Sequence, residues 1–276
     1  MKIEWVFHPS DFSDESVAAF QHALMIAVRC RAGIGMLHAV PDALDTRHWG
    51  GFPGVRRTLH RWGLIGADAP REAVRTELGV TVNQLTVESR DPVQAIGDYL
   101  TRHGADLMVL ATEGRMGLPR WLKPSVAEPA ARRSRIPTLF IAKGAHGFVS
   151  PEGSVRLAHL LVPVDHDPAP QTAVNAAADV ARLLGAFDAA LMLLHVQSDE
   201  RTPPSVDVPA AAGWAERVIE RGPVLEAIMT AAESLPADLI VMATSGRNGF
   251  LDAVFGSTTE QVLRRAPCPV LAVPVS

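Results

Sequence analysis

The chain has 276 residues, 47% of them hydrophobic, 20% charged and 5% aromatic, with a formal net charge of −4 at pH 7. That leaves room for two domains of ordinary size and enough apolar material for a packed core, which excludes general disorder. A net negative chain is no general electrostatic partner for nucleic acid or an anionic membrane, and with only Cys30 and Cys268 it holds neither a disulfide framework nor a metal-ligand spacing.

In chain order, Met1-Lys2-Ile3-Glu4-Trp5-Val6 lacks the charged and apolar regions of a signal peptide, and no apolar run approaches the ~20 residues of a membrane span, so a cytoplasmic protein is expected. Phe7-His8-Pro9-Ser10-Asp11 reads as the end of a first strand. Asp11-Phe12-Ser13-Asp14-Glu15 follows, either a carboxylate cluster or a helix start with Ser13 or Asp11 as cap. Met36-Leu37-His38-Ala39-Val40 is a second strand. Between Pro41 and Val80, Gly50-Gly51-Phe52-Pro53-Gly54 predicts a turn and Val55 to Leu78 mainly helix. Pro137–Ala142 is the last strand of this half. The basic residues from Arg115 to Lys143, with Arg120, Lys123, Arg132, Arg133 and Arg135, read as a solvated helix face. His8, His22, His38, His48, His60 and His103 form no His-x-x-x-His pair, and His8 and His38 suit hydrogen-bonded structural roles at adjacent strand ends.

Lys143-Gly144-Ala145-His146-Gly147 and Ser150-Pro151-Glu152-Gly153 mark a linker, which places a boundary near residue 150. Beyond it the pattern alternates. Strands are expected at His159–Val164, Ala189–Val196, Arg217–Glu220, Asp238–Ala243 and Pro269–Val273. Helices are expected at Ala169–Leu184, Pro223–Ser234 and Ser257–Arg265, with Pro223 at the permitted first helical position.

The second half repeats the first. Ala105-Asp106-Leu107-Met108-Val109-Leu110-Ala111-Thr112-Glu113-Gly114-Arg115-Met116-Gly117 matches Ala237-Asp238-Leu239-Ile240-Val241-Met242-Ala243-Thr244-Ser245-Gly246-Arg247-Asn248-Gly249. The register holds to Pro137 and Pro269, and Asp11 pairs with Asp165 and His38 with His195. Extra residues in the first half fall between Pro41 and Val80, where the second half has only the Pro-rich stretch Gln197–Trp214. Continuous apolar strands alternating with helices predict an α/β fold: two tandem, doubly wound, five-stranded parallel-sheet domains, Rossmann-like, at residues 1–150 and 151–276.

Open α/β sheets bind ligands outside the carboxyl ends of their strands, where strand order reverses. That points to Asp11 and Asp165 after the first strands, and to Gly246, Gly256, Ser257 and Thr258 around the start of the last helix. No Walker lysine signature, GxGxxG, nucleophile elbow or triad is present.

Pro163-Val164-Asp165, His195-Val196, Ala243-x-x-Gly246 with nine residues before Gly256-Ser257, and Leu263-Arg264-Arg265-Ala266-Pro267-Cys268-Pro269-Val270-Leu271 together resemble the universal stress protein family, twice over nearly the whole chain. The resemblance implies an adenine nucleotide alpha hydrolase-like fold. It implies that Asp165 contacts the adenine edge, that the Val196 backbone lines the base pocket, and that Gly246, Gly256, Ser257 and Thr258 hold phosphates. Ala243 replaces the first glycine of the family pattern, which an alanine tolerates at negative φ. In the first half the corresponding residues are Ala111, Gly114 and Pro124-Ser125, a proline in place of the phosphate-loop glycine. ATP, with or without Mg2+, is therefore expected in the second half only. The function implied is a stress-response regulatory module acting on a protein partner that the sequence does not identify. A slow ATPase on the same scaffold and a non-nucleotide-binding interaction protein are the alternatives. The Gly256-Ser257-Thr258 cluster weighs against the last, and the lack of a positioned general base weighs against the ATPase. Family members pair through their last strands, so Pro137–Ala142 and Pro269–Pro274 are expected to meet as an internal pseudo-dimer, with room for a further homodimer.

Overall fold

The computed structural model describes residues 1–41, 49, 52–112, 126–197, 202–208, 214–245 and 257–275. The first half runs β1 (Trp5–Pro9), α1 (Asp14–Cys30), β2 (Gly33–Val40), α2 (Val55–Arg61), α3 (Ala73–Thr76), β3 (Val82–Glu88), α4 (Pro92–His103), β4 (Leu107–Thr112), α5 (Ala127–Ser134) and β5 (Thr138–Ala142). The second runs β6 (His159–Pro163), α6 (Gln171–Leu184), β7 (Ala190–Gln197), β8 (Trp214–Arg221), α7 (Val224–Ser234), β9 (Leu239–Ser245), α8 (Ser257–Arg265) and β10 (Val270–Val275).

The strands form one ten-stranded sheet in the order β3-β2-β1-β4-β5-β10-β9-β6-β7-β8. Within each half every pairing is parallel. The halves join edge to edge, because β5 and β10 pair antiparallel with Phe140 opposite Val270 and Leu139 opposite Leu271. The last strands thus meet, and each covers the edge that the other would expose. Alternation along the strands sends Val6, Leu160 and Val162 to one face, under α1 and α6, and Phe7 and Leu161 to the other, under α4, α5, α7 and α8. Both apolar clusters contain residues of both halves, so the core does not stop at the linker.

Local chemistry sets the element ends. Ser13 caps α1 by accepting the Ser16 N–H, and Asp14 and Glu15 in the first turn suit the helix dipole. Of the two caps the sequence allows, Ser13 is the one used. Asp106 accepts the N–H groups of Glu4 and Trp5 ahead of β1, and its repeat partner Asp238 accepts those of Ala158 and His159 ahead of β6. The helix expected over Val55–Leu78 is instead two short helices, because the chain leaves α2 at Trp62 and turns through Gly63 at φ +69°. Strand β8 is longer than Arg217–Glu220, since it pairs with β7 from Ala190 to Gln197. Pro223 stands at the N-cap of α7, one residue before the first helical position expected for it, and brings no side-chain cap. Gly50 and Gly51 of the expected turn lie outside the described residues, as do Arg115, Arg120 and Lys123 of the basic run; Arg133 and Arg135 are exposed and Lys143 pairs with Glu15.

The additional segment of the first half ties the linker down. Trp62 Nε1–H donates to Pro151 O at 3.0 Å. From α1, His22 Nδ1–H donates to Ala18 O at 2.7 Å, and its Nε2 accepts the Val149 N–H at 3.2 Å. Gly147 lies so close to this imidazole that a Cβ there would fall 2.3 Å from the ring. Burial pushes the pKa of His22 down to about 4 and does the same to His8, whose Nδ1–H donates to Val109 O at 3.0 Å. Both rings are neutral in the folded chain while the unfolded chain takes up their protons near pH 6.5. Their contribution is fully present above about pH 6.5 and is lost as pH falls toward 4. The thermal midpoint measured by calorimetry should fall steadily across that window; a flat profile would contradict the neutral-histidine assignment.

Among the described residues no helix is long and apolar enough to cross a membrane, and no group of three or more metal-ligating side chains occurs. Cys30 and Cys268 are both free, and burial pushes the Cys268 thiol up to about 12, which keeps it protonated and unreactive.

Candidate functional site

Strand order reverses between β6 and β9, and there a cavity of about 270 Å³ opens at the carboxyl ends of β6, β7 and β9. Of the residues singled out in the sequence, Asp165, Val196, Ala243 and Thr258 all line it. Its walls are mixed, with Pro163, Val164, Leu194, Ile228 and Met242 beside the polar groups of Asp165, Asp167 and Thr258. Such a chamber suits a flat, weakly polar ring system held by a few polar groups. Ser257 begins α8, while Gly246 and Gly256 lie outside the described residues. Ala243 sits within β9 and is not among the residues at positive φ, so replacement of glycine carries no backbone strain.

The turn carrying Asp165 is fixed from two sides. The Val164 N–H donates to Leu194 O at 2.8 Å, and His195 Nδ1–H donates back to Val164 O at 3.0 Å. The first half repeats the arrangement with the Ser10 N–H to Leu37 O at 2.8 Å and His38 Nδ1–H to Ser10 O at 2.6 Å. His38 and His195 are therefore clamps on the turn that presents the aspartate.

The two aspartates then part ways. Asp11 Oδ1 accepts the Ser13 hydroxyl and the Ser16 hydroxyl, each at 2.6 Å, and the Ser13 N–H at 3.0 Å. Desolvation of that carboxylate acts to raise its pKa, although much of the residue is exposed; the bonds from Ser13 and Ser16 outweigh it and hold the group below its ordinary value. At the positions of Ser13 and Ser16 the second half has Asp167 and Pro170, which bring no hydroxyl. Asp165 Oδ1 accepts the adjacent His166 N–H at 2.8 Å, and the residue stands exposed at the cavity. Above the first-half turn, Phe12 stacks on His38 with ring centroids 3.9 Å apart, and Trp49 and Phe52 close around Phe12 at 4.7 and 5.4 Å. At the corresponding place in the second half, His166 meets His195 edge-on at 6.1 Å.

Sequence reasoning passed over Asp167, Thr244 and Thr259, which also line the cavity. A signal for Thr244 was available, since it follows Ala243 in the repeated block and matches Thr112.

A family model described as the universal stress protein family matches residues 6–142 and 215–274. A universal stress protein of Mycolicibacterium smegmatis is 26% identical over 290 residues, covering 95% of this chain and 94% of that one. Another, of Mycobacterium tuberculosis, is 29% identical over 238 residues, covering 76% and 78%. The crystal structure of a universal stress protein from Archaeoglobus fulgidus matches with a TM-score of 0.65 at 21% identity, over 98% of this chain and 96% of that one, which is a likeness of fold.

Proposed function

The chain belongs to the universal stress protein family, and from that premise we propose that its second half binds one adenine nucleotide, ATP with or without Mg2+, as a regulatory module that a protein partner reads. The observation that carries this is the contrast between the aspartates. Asp11 is committed to the hydroxyls of Ser13 and Ser16, whereas Asp165 faces a cavity of mixed polar and apolar lining with acceptor capacity left for a base edge. Around that carboxylate, Val196 supports the base side and the first turn of α8, with Thr258, supports the phosphate side. In this reading residues 1–150 and 151–276 act as the two domains, of which the first serves as scaffold.

Denaturing the purified chain and weighing what it releases tests for retained nucleotide. Calorimetric titration with ATP and Mg2+ then tests the site. The expected stoichiometry is one per chain. Asp165→Ala removes a charge-assisted bond of about 1.5–3 kcal/mol and so weakens binding by roughly tenfold or more, while Asp11→Ala leaves it unchanged. Two equivalent sites, or sensitivity to Asp11 in place of Asp165, would overturn the reading.

A further inference from the structure

Strand β3, at one end of the ten-stranded sheet, pairs among the described residues with β2 alone. None of its seven residues is buried, whereas β2 beside it is buried almost throughout. Val82 and Leu85 are each 36% exposed, and Leu85 and Val87 line a groove of about 310 Å³ beside α4. An outer edge of this kind offers unpaired N–H and C=O groups to any further strand, and folded chains ordinarily protect it with charge, proline or a bulge. Strand β8, at the other end, carries charge in Glu216-Arg217-Val218-Ile219-Glu220-Arg221. Strand β3 is Val82-Asn83-Gln84-Leu85-Thr86-Val87-Glu88, with neither lysine nor proline and a single charge at its last position, and its register against β2 runs without a bulge.

The ladder determines what fits that edge. The Ile34 N–H donates to Thr81 O and the Ser89 N–H to Val40 O, so in this parallel pairing Asn83, Leu85 and Val87 turn their backbone groups toward β2. Val82, Gln84, Thr86 and Glu88 turn theirs outward. Antiparallel self-pairing about a twofold axis at Leu85 sets Gln84 opposite Thr86 and Val82 opposite Glu88, so every outward residue meets an outward residue as a hydrogen-bonded pair. The same register sets Leu85 against Leu85 and Asn83 against Val87 at the closer, non-hydrogen-bonded places, on the face that carries the groove. No charge stands opposite a like charge. We propose that β3 is an interface for a second copy of this chain, the two edges joining antiparallel about Leu85 into one continuous sheet. The symmetry closes at two, because the edges left outermost are the charged β8 strands. A single strand pair is small beside the roughly 1,600 Å² of a standard stable interface, so the dimer is a concentration-dependent one.

Sedimentation velocity of the full chain between about 1 and about 200 µM tests this, and the wild type should move from monomer toward dimer across that range. Leu85→Lys and Leu85→Glu alter an exposed position and should leave the thermal midpoint close to wild type. Each should stay monomeric, because like charges then face each other across the axis. An equimolar mixture of the two should recover the dimer, a result that misfolding of either variant does not produce. Gln84→Pro removes an outward N–H that β2 does not use and should also weaken dimerisation. Ile219→Lys, at an exposed position of β8, should leave it unchanged. A wild-type chain that is monomeric throughout would overturn the inference and leave the edge to a strand from another protein. A dimer that survives Leu85→Lys, a mixture that stays monomeric, or a dimer lost only in Ile219→Lys would equally overturn it, by placing the contact away from β3.

Discussion

Phe140→Ala is expected to destabilise the whole chain by about 3–5 kcal/mol, the usual cost of truncating a fully buried phenylalanine. Phe140 is 1% exposed and lies on β5 opposite Val270 of β10, at the seam between the halves. Its cluster gathers Met108 and Leu110 from β4 with Ile240, Met242 and Val270 from the other half, so the cavity would open in a core that both share. At a few degrees per kcal/mol for a chain of this size, the calorimetric midpoint should drop by roughly 6–15 °C. It should move as one transition, because the ladder and both apolar clusters are continuous across the seam. Phe187→Ala, at a side chain 64% exposed, should shift the midpoint hardly at all. Two separate transitions, of which Phe140→Ala moves only one, would show that the halves unfold independently and that the shared core has little energetic weight.

The internal repeat made much of this arrangement legible. The strand-order argument pointed to Asp165 and Thr258, the family resemblance added Val196 and Ala243, and the cavity gathers all four. Helix α8 spans Ser257–Arg265 as the apolar spacing requires. What stayed hidden depended on partners distant in the chain. Nothing in Asp11-Phe12-Ser13 distinguishes a free carboxylate from one bonded to two hydroxyls; the difference comes from Ser16, one turn into α1, where the second half has Pro170. The hydroxyl of Thr244, buried with no hydrogen-bond partner among the described residues, was likewise out of reach, since burial is a property of the packed sheet. The break between α2 and α3 follows from tertiary context. Trp62 is drawn to Pro151, and Leu59 and Val74 enter the core from separate short helices.

Gly256→Pro is expected to abolish measurable nucleotide binding while the chain stays folded. Gly256 immediately precedes α8, and proline is tolerated at helix starts, so circular dichroism and the thermal midpoint should stay close to wild type. What changes is the chemistry offered to an anion. Proline has no N–H and fixes φ near −65°, so one donor to phosphate is lost and the close backbone approach with it. A hydrogen bond to a charged acceptor is worth about 1.5–3 kcal/mol, which corresponds to a loss of roughly tenfold or more in affinity before any clash with the ring. The first half carries this substitution naturally at Pro124. The reciprocal change, Pro124→Gly, should nevertheless leave the stoichiometry at one, because Asp11 remains bound to Ser13 and Ser16 and Phe12 remains stacked on His38. Calorimetric titration with ATP and Mg2+ decides both points. A second binding event in Pro124→Gly would show that the proline alone silences the first half, and retained binding in Gly256→Pro would move the phosphate contacts away from the α8 start.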